Sequence, residues 1–430
     1  MTDASFDVTP RRPAFTERVE LRLSGVDPGA RVELSARMPD RSGVLESSAT
    51  FEADGDGVVD LAEHAPVDDA YDGADAMGLF RTLSMTTERD LAAPDEAVTS
   101  LVVDVTARVD GEPVAETTVE RVLAPEGVTA SVVDDRGVVG RFLEPAGDGP
   151  HPGVLVLAGG GGDPPWKVGP LLASEGYAVL ALSYFGPEVD GRPDALDGIR
   201  IEYFERALDW LSNRSSVRAA PFGVVGWSRG ANAGLLLAAQ NAEIGAVVAY
   251  APSSVVFQGI PDGWGSVGTP WTRGGVDVPF VPYSFGKRFV PGALGRFVKR
   301  DELELRPIYE RSIEQADDDV VADARIPVER VAGPVLLVSG TDDALWPSSR
   351  FCDELDARLD AHDHAYAHEH HSTDGAGHVV PVPYDATRTD VGDIVPGLSL
   401  AGGGSVDANA RAARSAWPLA LAYLDRGLDP

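Results

Sequence analysis

One stretch of the 430-residue chain constrains its fold more than any other: Ala219 to Leu237, AAPFGVVGWSRGANAGLLL. It reads as a short apolar strand (222–225), a turn built from Gly226-Trp227-Ser228-Arg229-Gly230, and a helix rich in Ala and Leu. A G-x-S-x-G motif between a strand and a helix is the context in which such a turn presents a nucleophilic serine. Gly226 and Gly230 lack Cβ atoms, so strand and helix can approach closely and leave Ser228 on top of a strained turn. The serine then stands at a helix N-terminus, where free N–H groups and the helix dipole favour negative charge.

The segments around this turn carry a consistent pattern. Gly153–Leu157, Ala178–Leu182, Ala246–Tyr250 and Val335–Val338 are near-continuous apolar runs, separated by helical stretches such as Leu171–Glu175 and Glu202–Leu211. Strands apolar on both faces, alternating with helices, predict a mostly parallel sheet covered on both sides. The first part of the chain differs. Arg18–Leu23 and Arg31–Ala36 alternate apolar with polar residues, and further strands are expected at Leu45–Phe51, Leu101–Val109 and Thr117–Leu123. Asp110-Gly111 is a hairpin signal between the last two. This spacing predicts a structural β-sandwich of about 110 residues. The expected organisation is therefore a β-sandwich over 1–125, connecting strands over 126–150, and an α/β domain over 151–430 with an insertion around 255–325.

Composition narrows the function classes. The formal net charge is −32, and lysine occurs only at Lys167, Lys287 and Lys299. Such a field repels nucleic acid. An acidic, lysine-poor surface suits a salt-rich cytoplasm, where screening mutes self-repulsion, so the expected source is a salt-loving archaeon. The N-terminal MTDASFDVTPRRPAF lacks the apolar core of a signal peptide, and no apolar run is long enough to span a membrane. A soluble cytoplasmic protein without a membrane partner is expected. Cys352 is the only cysteine, which excludes internal disulfides and Cys-cluster metal sites.

A serine nucleophile needs an oxyanion site, a base and an orienting acid. Gly159-Gly160-Gly161-Gly162 directly follows the first buried strand, and its N–H groups, at Gly159 or Gly160, together with that of Arg229, suit an oxyanion hole. A phosphate-cradling loop is the competing reading, but the G-K-[ST] ending is absent. His378, after the Gly-rich Thr373-Asp374-Gly375-Ala376-Gly377, is the candidate base. His362, His364, His368, His370 and His371 cluster in a stretch expected to be an exposed loop; clustered histidines can hold metal, but no metal or other cofactor is expected here. The orienting acid should lie between serine and histidine, and Asp343 is preferred to Asp342 at the end of the strand Val335–Val338.

These features resemble one family: the acyl-CoA thioesterases grouped with the bile acid-CoA:amino acid N-acyltransferases. The likeness runs over nearly the whole chain. Tyr71-Asp72-Gly73-Ala74-Asp75-Ala76-Met77-Gly78-Leu79 is similar to that family's G-x-x-P-M-G-L stretch. The Gly159–Gly162 run, Glu202-Tyr203-Phe204-Glu205-Arg206-Ala207, the Ser228 turn, Asp342-Asp343-Ala344-Leu345-Trp346, and Gly377-His378 followed by Pro383-Tyr384 fall in family order. Gly377 to Pro383 runs G-H-V-V-P-V-P against the family's G-H-x-x-x-P-P, and Val255–Asp323 carries no family motif. The resemblance implies an α/β-hydrolase domain behind a β-sandwich, a Ser228–Asp343–His378 triad, and hydrolysis of acyl-CoA to acid and CoA. Acyltransferase members use cysteine as nucleophile, so serine resembles the hydrolytic branch. A carboxylester or lactone hydrolase of the dienelactone-hydrolase type and an acyl-CoA:amino acid N-acyltransferase stay open as alternatives, as does a non-catalytic carrier on the same fold. Acidity counts against an anionic CoA ligand, with Arg200, Arg288, Arg296 and Lys299 as local exceptions.

Overall fold

The computed structural model describes residues 4–41, 43–88, 99–162, 166–186, 193–260, 268–287, 289–378, 382–395 and 398–428. The chain forms two units, Met1–Glu126 with Pro381–Arg388, and Gly127–Val380 with Thr389–Pro430.

The first unit is built from two antiparallel sheets. Five strands pair in the order Ser84–Glu88, Gly43–Glu52, Arg31–Pro39, Ser100–Val109, Glu112–Val122. Three more, Ser5–Thr9, Glu20–Ser24 and Val58–Asp60, form the second sheet. Alternation sets the faces: Val32, Leu34, Ala36 and Met38 are buried, while Arg31, Glu33 and Arg37 between them are exposed. Asp110 (φ 52°) and Gly111 (φ 82°) both adopt left-handed backbone, the two-residue hairpin turn that their types favour. In the Tyr71–Leu79 stretch Gly78 faces the Tyr71 ring, where a Cβ would come within 2.2 Å of it, and Arg81 bonds Asp75 at 2.7 Å.

The second unit carries an eight-stranded mixed sheet. Its strands are β1 (Thr129–Asp135), β2 (Val138–Glu144), β3 (Gly153–Leu157), β4 (Ala178–Leu182), β5 (Phe222–Trp227), β6 (Ile244–Tyr250), β7 (Val335–Gly340) and β8 (His368–Thr373). The spatial order is β8-β7-β6-β5-β3-β4-β2-β1. All neighbours from β4 to β8 are parallel, and β2 and β1 add antiparallel strands at one edge. The pair over 129–144, expected as a connector, is thus part of the sheet itself. The helices used below are α1 (Ile201–Ser212), α2 (Arg229–Ala238), α3 (Phe289–Lys299), α4 (Arg306–Gln315), α5 (Ser348–Ala361) and α6 (Val406–Leu428). This is the α/β-hydrolase fold. Residues 251–334, between β6 and β7, hold the insertion, which includes a short hairpin at Trp271–Asp277 and the helices α3 and α4.

The sheet is dry for the reason visible in its sequence. Every residue of β3, β6 and β7 is buried, so the strands must be covered on both faces. β3 pairs with β4 on one side and β5 on the other, so consecutive connections run in opposite directions from it. The crevice beyond the carboxyl ends of β3 and β5 is the topological switch point where such sheets bind ligands.

Candidate active site

Ser228 follows β5 with φ 51° and ψ −116°, a strained backbone for a non-glycine residue. Its N–H donates to the Tyr250 carbonyl at 2.8 Å, and its own carbonyl accepts from Asn232 N–H at 3.2 Å, which starts α2. The flanking glycines make the turn possible. A Cβ on Gly226 would lie 2.5 Å from the Gly230 carbonyl oxygen, and one on Gly230 would lie 2.1 Å from that of Ala158. No side chain fits at either position. The register pairs Leu157 with Gly226, so the glycine run after β3 arrives beside the serine. A Cβ built on Gly159 would be 3.5 Å from Ser228 Cβ. Buried Tyr184 donates to the Ala158 carbonyl and fixes the start of that run.

Asp343 and His378 come from two loops at the same sheet end. His378 Nδ1 lies 2.8 Å from Asp343 Oδ2, and both side chains are buried. Asp343 Oδ1 accepts N–H bonds from Leu345 at 2.9 Å and Trp346 at 3.1 Å. The carboxylate is therefore oriented by the backbone before it meets the imidazole. Asp342 is exposed, and among the described residues its carboxylate reaches only the Thr341 hydroxyl, at 3.3 Å. Of the two aspartates, the structure brings Asp343 to His378. Trp346 packs edge-on against the His378 ring, with centroids 5.6 Å apart.

A third segment stitches these loops together. Ala344 N–H and His378 N–H both donate to the Gly402 carbonyl, at 3.2 and 2.8 Å, and Gly404 N–H donates to the Asp342 carbonyl at 3.2 Å. Buried Asn409 at the start of α6 accepts from Gly377 N–H at 2.7 Å. In Ala401-Gly402-Gly403-Gly404-Ser405, three successive glycines just before a helix are the sequence signal of this close backbone packing.

The Arg229 side chain has a role beyond the N–H expected of it in the oxyanion hole. Its guanidinium, 1% exposed, donates to the carbonyls of Phe257 at 3.3 Å and Gln258 at 3.1 Å and to the hydroxyls of Tyr283 and Tyr309. Burial pushes the Tyr283 phenol well above its usual range, so it stays neutral as an acceptor. Rings of Phe257, Tyr309 and Trp346 surround the cation, with centroids 5.4 to 6.0 Å from Cζ. Among the described residues no carboxylate pairs with it, and Nε has no partner. The residue after the serine thereby ties the turn to the insertion.

The histidine cluster is only in part the expected exposed loop: His362 is exposed just after α5 and His364 lies in the loop that follows, but the other three do not. His368, His370 and His371 lie on β8, the sheet edge, and are half-buried. His368 bonds Asp356 and His370 bonds Asp353, each at 2.9 Å, both acids on α5; His371 bonds Ser415 of α6 at 2.7 Å. An edge strand written His-Glu-His-His-Ser-Thr packs polar groups against acids of α5 and a serine of α6, so it carries none of the apolar periodicity by which strands are recognised. His370 Nε2 also meets Ser339 Oγ at 2.7 Å, giving a second Ser-His-Asp chain. Ser339 is fully buried within β7, out of reach of a substrate. Among the described residues no group of His, Cys, Asp and Glu is arranged to hold a metal ion, and no helix is long and apolar enough to cross a membrane. Of the Gly377–Pro383 motif, Val379, Val380 and Pro381 lie outside the described residues, as does Arg288.

Comparison with known proteins matches both units. The family described as BAAT / acyl-CoA thioester hydrolase C terminal matches residues 199–430, and the acyl-CoA thioester hydrolase/BAAT N-terminal region matches residues 16–135. Acyl-coenzyme A thioesterase 2, mitochondrial, of Mus musculus is 27% identical, covering 97% of this chain and 88% of its own. Peroxisomal succinyl-coenzyme A thioesterase of the same organism is 26% identical, with 99% and 97% covered. Bile acid-CoA:amino acid N-acyltransferase, also from Mus musculus, is 28% identical, with 99% and 98% covered. With an α/β-hydrolase sheet presenting a strained serine, and family matches in both units, the chain belongs to the BAAT/acyl-CoA thioester hydrolase family.

Proposed function

We propose that this protein is an acyl-CoA thioesterase that works through a serine acyl-enzyme. The observation that carries the reading is the strained Ser228 at φ 51° on a helix N-terminus, in a unit where a buried Asp343 bonds the His378 imidazole at 2.8 Å. Family membership and relatives named as acyl-CoA thioesterases support the substrate class.

In this mechanism His378 Nε2 accepts the Ser228 hydroxyl proton as Oγ attacks the thioester carbonyl. Asp343 accepts the Nδ1 proton's hydrogen bond and so keeps Nε2 free to act as base. The N–H groups of Arg229 and of Gly159 or Gly160 stabilise the oxyanion, each such donor being worth about 3 kcal/mol of barrier. The C–S bond breaks, and the imidazolium returns its proton to the CoA thiolate. Water, activated by His378, then attacks the oxygen ester and releases the acid. Permanent burial of the Arg229 cation beside the turn adds positive potential where the negative charge develops.

A substrate panel tests this reading. Acyl-CoA should be turned over with higher kcat/KM than aryl esters or lactones, and mass spectrometry should find free acid as the product. With excess glycine or taurine present, little amide should form. Higher kcat/KM on esters would assign a general ester or lactone hydrolase, and mainly acyl-glycine or acyl-taurine would assign an N-acyltransferase.

A further inference from the structure

A chain of net charge −32 has to hold an anionic ligand somewhere, and its cations are unevenly placed. Between Asp277 and Asp301 the sequence has no Asp or Glu, yet it has Lys or Arg at positions 287, 288, 296, 299 and 300. Two of the three lysines of the whole chain fall there. The segment is the part of the insertion that includes α3. Lys287, Lys299 and Arg300 are exposed, and none pairs with a carboxylate among the described residues. Arg296 is engaged with Asp301 at 3.6 Å and Glu304 at 3.4 Å, and Arg200, elsewhere, lies 3.9 Å from Glu202.

The same segment exposes apolar side chains that a packed helix would bury. Phe285 is 58% exposed, Leu294 62%, Phe297 44% and Val298 75%. No described residue of α3 is buried. Exposed aromatic faces beside unpaired cations match a ligand that carries both a purine ring and phosphates.

Both feet of the segment stand on the candidate site. At its start the Tyr283 hydroxyl accepts from Arg229, the residue after Ser228, and the Tyr283 ring touches Phe285 at 5.9 Å between centroids. At its end Leu305 and Arg306 N–H groups donate to the Ala344 carbonyl at 3.2 and 3.0 Å, and Arg306 Nη1 reaches the Asp343 carbonyl at 3.2 Å. Lys287 is four residues from the first anchor and Arg300 five from the second, so each lies within about 18 Å of it along an extended chain. A thioester at Ser228 would leave its nucleotide end near this surface.

We propose that the described residues of the strap, 284–287 and 289–304, dock the phosphate and adenine portion of coenzyme A, with Lys287, Lys299 and Arg300 meeting the phosphates and Phe285 or Phe297 stacking on the purine. The proposal rests on the acyl-CoA reading above. It reconciles an acidic chain with an anionic substrate: local charge, not net charge, meets the ligand.

The test compares acyl-CoA with the same acyl group on N-acetylcysteamine, a thioester that lacks the nucleotide. In the K287Q/K299Q/R300Q variant, the ratio of kcat/KM for acyl-CoA to kcat/KM for the truncated thioester should fall about tenfold or more, carried by KM. A thermal melt matching that of the unsubstituted protein shows that the fold is intact, and F285A/F297A provides a second variant that should lower the same ratio. A ratio within about twofold of the starting value in both variants overturns the proposal. So does binding of the unsubstituted protein to phosphatidylglycerol vesicles that the triple variant loses with the ratio unmoved, which would make the surface a lipid contact. If the unsubstituted protein hydrolyses no acyl-CoA, the functional reading falls and this one with it. If it does hydrolyse acyl-CoA and the ratio stays put, this proposal falls alone.

Discussion

Replacing Asp343 by asparagine tests the assignment of the orienting acid, and the structure fixes what the new side chain must do. Asp343 Oδ1 accepts two N–H bonds, from Leu345 at 2.9 Å and Trp346 at 3.1 Å, while Oδ2 faces His378 Nδ1 at 2.8 Å. An asparagine has one acceptor and one donor end. If its oxygen stays with the two N–H groups, its NH2 faces Nδ1, and the imidazole must carry its proton on Nε2, where it cannot take one from Ser228. The opposite flip would leave two N–H groups facing a donor, a cost of about 1–3 kcal/mol for each unsatisfied group. The first arrangement wins. The expected consequence is a fall in kcat of about 10⁴-fold, equivalent to ~5.5 kcal/mol of barrier, with the fold retained. Asp342→Asn, at an exposed carboxylate whose bond to Thr341 is 3.3 Å long, should change kcat less than about threefold. Steady-state kinetics on acyl-CoA with parallel thermal melts reads both. An Asp343→Asn variant within tenfold of the original rate, or an Asp342→Asn variant that falls as far, would refute the reasoning.

Other substitutions probe the scaffold. Gly230→Ala puts a methyl 2.1 Å from the Ala158 carbonyl oxygen, which should cost about 1–3 kcal/mol and lower Tm by roughly 2–10 °C; an unchanged melt would contradict the close strand–helix packing. Arg229→Met strips the donors from two carbonyls and two tyrosine hydroxyls in a buried site, so both Tm and kcat should fall, and Arg229→Lys should fall between, because it keeps the charge but not the planar fork; full activity in Arg229→Met would remove the side chain from the site's support. His370→Ala breaks the second Ser-His-Asp chain and should lower Tm while kcat on acyl-CoA stays within about twofold, whereas loss of turnover would implicate Ser339.

The features legible in the sequence are those with strong local periodicity. Val154, Leu155 and Val156 in β3 or Val335 to Val338 in β7 are apolar on both faces because both faces are covered, and that signal survives without any tertiary context. The Ser228 turn is legible because its motif is contiguous, although only Gly226 answers a local steric demand, from the Gly230 carbonyl, while Gly230 answers the distant Ala158 carbonyl. The features missed are set by long-range packing. β8 hides behind His368, His370 and His371, whose partners Asp353, Asp356 and Ser415 come from two different helices. Gly402 to Gly404 gain their meaning only where the Asp343 and His378 loops converge on them. The buried Arg229 cation has the same origin, since its acceptors lie 28 to 80 residues along the chain. Of the strands at 129–144, Thr129–Asp135 carries polar faces because it forms the sheet's outer edge, and Val138–Glu144 lies between it and β4, so the pair resembled a connector.

The most direct test of the serine acyl-enzyme is rapid acid quenching of the protein with acyl-CoA in the first turnovers, followed by peptide mass spectrometry. The acyl mass should appear on the peptide containing Ser228, in up to one equivalent per chain, and should vanish in Ser228→Ala together with turnover. Acyl-CoA hydrolysis that continues in Ser228→Ala, or an acyl group found on another residue in the unsubstituted protein, would contradict it.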